Sequence, residues 1–243
     1  YTMTVLPPKK LVLPDKEELL HFKGGQAEAA IEKPVRQNVI LGMHTCDMHA
    51  LLLMDRVHST GYADQHYLAR RENTIIVSLE CLKPCTEHSF CKDMGTLSIS
   101  ENYDLHLTDL GDDYAIDIGS EKGALLIEGF AAIWEPTSDD YQRVNRVVAE
   151  KWPRFPYRVD FDTTDLPSLL STSYSSDYWD ELGDRCLACG MCTQVCPTCY
   201  CFNVVDEVDF TLSAGKRIRV RDSCQVDEFA AVAGGHNFRK SRA

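Results

Sequence analysis

This chain lacks any apolar run long enough to cross a bilayer, which takes about 20 residues in a helix. His49–Met54 is too short, and the apolar stretch Gly123–Trp134 is interrupted by Glu128. Positive charge is also scarce: 25 Lys and Arg stand against 37 Asp and Glu, a formal net charge of −12. That balance removes the global attraction to phosphate on which nucleic-acid binding depends. No G-x-G-x-x-G follows a strand, and Gly234-Gly235 is isolated, so a dinucleotide cofactor has no fingerprint here. No signal peptide and no internal repeat are visible. The chain begins at Tyr1 and not Met, so Tyr1 is not read as the native start, and an export signal removed upstream stays open.

Cysteine, by contrast, is abundant, with 11 in 243 residues. An odd number at tight spacing in a chain this large argues against a disulfide framework. It favours metal ligation in a reducing compartment, read as cytoplasm. The most informative stretch is Cys186-Leu-Ala-Cys189-Gly-Met-Cys192-Thr-Gln-Val-Cys196-Pro197, a C-x₂-C-x₂-C-x₃-C-P pattern. Cys186, Cys189 and Cys192 reach three irons of one cubane, whereas in two-cluster ferredoxins the fourth Cys, before Pro, serves a different cluster. Zinc is the plainer alternative, because C-x₂-C pairs also suit it, but zinc sites normally use two separated pairs.

Along the chain, Asp15–Phe22 reads as a short helix. Asn38–Met43 is a buried-strand run, Met48–Val57 a helix with Leu51, Leu52, Met54 and Val57 on one side, and Asn73–Leu79 a second buried strand. Strand, helix and strand suggest a right-handed crossover in a parallel sheet covered on both faces. Parallel neighbours end on the same side, so Cys46 and Cys81 are expected at adjacent strand carboxyl ends, where open α/β sheets hold ligands. Asp104–Asp109 and Tyr114–Ile118 read as a hairpin, Ser120–Trp134 as a helix, and Asp206–Arg221 as polar strand and loop. Four prolines and the Ser/Thr/Asp-rich Ser171–Asp177 mark a boundary within 135–178. The expected organisation is an α/β (α+β) domain over 1–135 with a mainly parallel sheet, a linker over 136–177, and a mainly helical ferredoxin-like 4Fe–4S module over 178–243.

Cys46, Cys81, Cys85 and Cys91 form a second group. Pro84 breaks the Cys81–Cys91 segment into a loop directly after a strand, and four cysteines converging there suit a further cubane. The spacing is not the C-x₃-C-x₂-C of radical-SAM enzymes. The alternative is a buried apolar Cys46 beside free thiols or a zinc loop. His44 and His88 stand beside these cysteines as hydrogen-bond donors or surface residues, or as replacements for a thiolate.

At these residues the chain resembles the iron–sulfur beta subunit of cytoplasmic sulfhydrogenases, which are NAD(P)-linked nickel–iron hydrogenases. It also resembles the related iron–sulfur electron-transfer subunit of anaerobic sulfite reductase. The matching pieces are Leu6-Pro7-Pro8-Lys9-Lys10, Gly42–Asp47, Arg70-Arg71-Glu72, the Cys81–Gly95 loop, Cys186–Cys201, Asp222-Ser223-Cys224-Gln225 and Ala233–Arg239. The resemblance implies an anaerobic electron-transfer subunit, not catalytic on its own. It implies one 4Fe–4S cluster on Cys46 and the Cys81–Cys91 loop, and two in the ferredoxin-like part. It further implies a flavin/NAD(P)-binding partner, and a catalytic nickel–iron subunit with its small subunit. Family members often carry a further Cys where this chain has Ser89, so Cys85 is expected to supply that ligand.

The family continues past the Gly-Gly-His-Asn-Phe-Arg segment to a second C-x₂-C-x₂-C-x₃-C-P motif, whereas this chain stops at Ala243. The expectation is a truncated piece. Otherwise the fourth ligand for Cys186, Cys189 and Cys192 comes from Cys196, Cys199, Cys201 or Cys224. Three functions are weighed: an electron relay, an enzyme with an open iron at the N-terminal cluster, and a zinc-bound adaptor. The relay is favoured, of hydrogenase type. Sulfite, heterodisulfide or formate chemistry in the partner is the alternative.

Overall fold

The computed structural model describes residues 4–31, 37–129 and 132–240. Readings that touch Tyr1, Ala243 or residues 130 and 131 lie outside them. Pro8–Leu11 makes a single 3-10 turn. Lys16–Lys23 and Gln26–Ala29 then form strands β1 and β2, an antiparallel hairpin turning at Gly24-Gly25. A helix was expected over Asp15–Phe22. The strand forms because β1 is hydrogen-bonded on both sides, and such pairing overrides a weak local preference.

Asn38–His44 (β3) leads directly into α1 (Thr45–Ser59) and α2 (Gln65–Glu72), followed by β4 (Thr74–Leu79). Every residue of β4 is buried. β3 pairs with β4 in parallel, as does β5 (Leu105–Asp109) on its other side, while β6 (Tyr114–Ile118) closes the order β3-β4-β5-β6 antiparallel to β5. The parallel part is therefore confined to three strands, and β3 is an edge. Val39 and Leu41, expected inside, are 51% and 74% exposed because one face of that edge is uncovered.

Gly42 is what lets β3 serve the core. Its φ is +80°, and the register shifts between Leu41 and Met43. An inserted residue resets the two-residue alternation. Ile40 and Met43, three positions apart, thus both face the same core. That core is completed by Met48, Leu51 and Met54 of α1, with Val12, Tyr67, Ile76 and Tyr103. The buried stripe of α1 runs through Met48, Leu51, Met54 and His58, and Val57 is left outside at 41% exposure. On the other sheet face, Ile75, Val77 and Leu105 pack against Leu126 and Ile127 of α3 (Glu121–Ile127), the part of Ser120–Trp134 that is helical.

The stretch expected as linker holds α4 (Ser138–Lys151) and α5 (Leu166–Thr172). A capping box between Thr137 and Asp140 starts α4. After α6 (Tyr178–Arg185) and α7 (Met191–Val195) the chain turns to β-structure: β7 (Phe202–Val208), β8 (Ala214–Arg221) and the two-residue strands β9 (Ala231–Val232) and β10 (His236–Asn237). A mainly helical module is not what forms. β7 and β8 extend the first hairpin into an antiparallel sheet of order β2-β1-β8-β7. The physical reason is the open edge of β1, which β8 fills over seven registered pairs from Lys16↔Val220 to Lys23↔Ala214.

A buried ion cluster ties the two sheets together. Arg219 of β8 donates from Nε to Glu17 Oε1 at 2.7 Å, and its Nη1 to Asp64. Glu17 also takes Arg70 Nη2 of α2 at 2.5 Å. Asp64 in turn caps α2, accepting from His66 N and Tyr67 N at 3.1 Å each. Burial pushes the Asp64 carboxyl up, but hydrogen bonds from His58, Arg219 and Tyr67 N outweigh it and hold it far below its usual 3.8. A carboxylate depressed in the folded state stabilises above its unfolded pKa, and that contribution is lost as pH falls through the folded value. Arg219→Leu should cost about 3–5 kcal/mol in denaturant unfolding at pH 7, because it removes the buried cation that Glu17 and Asp64 share. The variant's acid-unfolding midpoint should lie at higher pH than the parent's.

Candidate metal centres

The parallel register sets His44 beside Leu79, so the chain leaves both strands at the same edge. From β3 it enters α1, whose first turn carries Cys46 and Asp47; from β4 it passes Glu80 to Cys81 and a loop bearing Cys85 and Cys91. All four thiols come together. Thr45 Oγ1 donates to Cys81 Sγ at 3.5 Å, and Cys85 Sγ lies 3.8 Å from His44 Nδ1. Burial, then the Asp47 carboxylate, then Cys81, Cys91 and Cys85 push the Cys46 thiol up to about 12. Cys85 is raised by burial, then by Cys81 and Cys91. For Cys91, burial and Cys81 outweigh its own backbone N–H.

Cys46, Cys85 and Cys91, thiols that resist ionising alone, belong to a donor set that needs a cation in place of its protons, as metal ligation supplies. Among the described residues no three His, Cys, Asp or Glu side chains close on a single point as ligands of one ion. One zinc holds its sulfurs at about 2.3 Å, whereas a cubane takes each thiolate on a different iron and spreads them. Four thiols drawn from two strand ends and one loop are a donor set whose chemistry suits a cubane.

The loop is held by its own polar groups. Ser89 Oγ accepts from Thr86 N at 3.0 Å, and Thr86 O accepts from Ser89 N at 3.1 Å, so Ser89 serves as a turn clamp. Asp93 is anchored by Val159 N at 2.8 Å and Arg158 Nε at 2.5 Å. His88 is not at the site: its exposed ring meets Tyr157 edge-on at 5.4 Å. Behind Cys81, Glu80 accepts from Lys151 Nζ of α4 at 2.6 Å, and its other oxygen lies 3.3 Å from His106 Nε2. Burial pushes Glu80 up, but the hydrogen bonds from His106 and Lys151 win and hold it below its usual value. Lys151, fully buried, also donates to Ser98 Oγ at 2.8 Å, which locks α4 onto the approach to Cys81.

The second centre is built on α6, α7 and the turn between them. Cys186 caps α6, Gly190 caps α7 with φ +69°, and Cys196 ends α7 with its N–H on Cys192 O at 3.0 Å. Cys186, Cys189 and Cys192 are exposed, and Cys196 is partly buried. Beyond the motif, a chain of thiols follows. Burial pushes Cys196 up, but hydrogen bonds from Thr198 (Sγ to Oγ1 3.2 Å) and Cys199 bring it below its ordinary value. Burial and Cys196 push Cys199 up to about 11. Cys201 is raised, first by burial and then by Cys224, which outweigh the hydrogen bond from Cys224 N–H. The β7–β8 register explains this last pair: Phe202 lies opposite Arg221, so the residues just outside the hairpin face each other. Cys196, Cys199, Cys201 and Cys224 thus form one contiguous group.

Lys9 was missed by sequence reasoning. It is 2% exposed, and its Nζ donates to the carbonyls of Cys196, Cys199 (2.5 Å) and Thr193 (3.4 Å). Its pKa is lowered by burial, then by Arg221, against the neighbouring Cys199, Cys196 and Cys201. The only signal in the sequence was its place in Leu6-Pro7-Pro8-Lys9-Lys10.

Two cysteine centres on such a scaffold define the class: an iron–sulfur protein. A family model described as a 4Fe–4S dicluster domain matches residues 185–243. Sulfhydrogenase 2 subunit beta of Pyrococcus furiosus is 32% identical over 242 residues, covering all of this chain and 71% of that one. The chain belongs to the family of sulfhydrogenase beta subunits. No solved structure matches it. Among the described residues no helix is long and apolar enough to cross a membrane.

Gly190 gives a direct check on the second centre. A Cβ there would meet Ser223 Cβ at 2.9 Å and Val226 Cγ1 at 3.0 Å, and a left-handed residue costs an L side chain about 1–2 kcal/mol. Gly190→Ala should lose iron from the Cys186–Cys196 centre while retaining that of Cys46, Cys81, Cys85 and Cys91, read by iron and sulfide content against the parent.

Proposed function

We propose that this chain is the electron-relay component of a cytoplasmic, hydrogenase-type complex. It passes single electrons between a flavin/NAD(P)-binding partner and a catalytic nickel–iron subunit with its small subunit. One 4Fe–4S cluster sits on Cys46, Cys81, Cys85 and Cys91, in residues 1–135. Cys186, Cys189 and Cys192, in 178–243, supply three ligands of another, and Cys196 serves a neighbouring cluster. The stretch 136–177 connects the two. The carrying observation is the convergence of Cys46, Cys81, Cys85 and Cys91 from two strand ends and one loop.

A bound cubane supplies a one-electron couple tuned by hydrogen bonds to sulfur and by exposure, across about −700 to +450 mV. The chain's own residues supply the rest. Thr45 directs a hydroxyl proton at Cys81 sulfur, an interaction that favours the electron-rich, reduced state. Burial of Cys46 limits water at the site. The absence of a dinucleotide fingerprint leaves hydride chemistry to the partner. Cys85 within the thiol group supports a four-cysteine centre and weighs against an open iron.

Anaerobically purified complex tests this by electron paramagnetic resonance on dithionite reduction. Cys85→Ser should change one signal and Cys189→Ser a different one, and each variant should hold less iron than the parent. Zinc without iron or acid-labile sulfide would sink the relay reading, and a four-cysteine signature unchanged in Cys85→Ser would remove Cys85 from the ligand set.

A further inference from the structure

The stretch Thr4–Lys9 runs between the two centres. Thr4, Leu6 and Pro8 line a cavity of about 230 Å³ at the end of β3, together with His44 and Asp47, which flank Cys46. One residue further on, the Lys9 side chain reaches the other centre. An ammonium has three protons and no acceptor, and Lys9 Nζ has three carbonyls to meet them: Thr193 in α7, Cys196 at its end, and Cys199 in the loop beyond. Thr193 and Cys196 flank the last turn of the motif, so one side chain grips both ends of that turn. The grip comes from a residue over 180 positions away in sequence.

The same ammonium carries a buried charge. Reduction adds a negative charge to the cluster, and a cation nearby in a buried, poorly screened position favours the reduced form. We propose that Lys9 is a positioning residue of the Cys186–Cys196 centre. Its ammonium fixes the Cys192–Cys199 segment and raises the reduction potential of the cluster held by Cys186, Cys189 and Cys192. This rests on the reading that the motif holds a cubane.

The test is a redox titration followed by electron paramagnetic resonance on the anaerobic complex, its signals assigned with Cys46→Ser and Cys189→Ser. Lys9→Met should lower the midpoint of the motif's cluster by about 59 mV, a tenfold change in the ratio of reduced to oxidised cluster for one electron. The cluster of Cys46 should stay at its parental potential, and Lys9→Arg should keep both potentials. Parental potentials in an iron-replete Lys9→Met, or equal shifts at both centres, overturn the proposal. If Lys9→Met fails to assemble, Lys9→Arg decides: parental iron content and potential support the proposal, and the same failure overturns it. Cys189→Ser separates the two levels. If it leaves every signal intact, the motif reading has failed and the proposal with it; if it removes one while Lys9→Met shifts none, only the role of Lys9 has failed.

Discussion

Parallel pairing of β3 with β4 sets where the N-terminal chemistry emerges. Two strands running the same way must end at the same edge, and β4, buried along its whole length, gives that edge a rigid base. Cys46 and Cys81 follow those ends directly, so their proximity costs no loop ordering beyond what the sheet already imposes. Gly42 refines the arrangement. Its left-handed bulge returns Met43 to the core and sends His44 out at the strand end, where it meets Cys85.

Three buried cations hold the rest in register around that edge. Arg219 joins the antiparallel sheet to the cap of α2, Lys151 locks α4 against Glu80 beside Cys81, and Lys9 grips the turn that ends the ferredoxin-like motif. Each links segments far apart in sequence through partners that leave few donors unmet. Removing one member of such a set leaves a buried charge or a bare carbonyl, which is costlier than losing an apolar contact of similar size. Backbone pairing makes residues 16–29 and 202–221 parts of one sheet, and Arg219 ties that sheet to Asp64 at the start of α2.

Much of this was legible beforehand. Asn73–Leu79 reads as a buried strand because most of its side chains are apolar or small, and the Asp104–Asp109 and Tyr114–Ile118 segments announce a hairpin by alternation. Asp15–Phe22 was not legible, since its mixture of acidic and apolar residues suits a helix until β8 supplies a partner edge. Val39 and Leu41 looked interior because apolarity does not reveal that a strand lies at an edge. In the centres, the spacing of Cys186, Cys189, Cys192 and Cys196 was self-evident, while the grouping of Cys199, Cys201 and Cys224 depends on the β7–β8 register.

By itself the sequence determined the chemistry: which thiols exist, the tandem spacing of Cys186, Cys189, Cys192 and Cys196, and an acidic balance. Those properties are local, written within a few residues. Only the tertiary structure decided which thiols meet and which cations stand behind them. Cys46 and Cys81 are joined by a strand pairing, and Lys9 and Cys196 by a buried ammonium crossing nearly the whole chain. Such contacts arise from long-range packing and desolvation, for which neighbouring residues carry no signal.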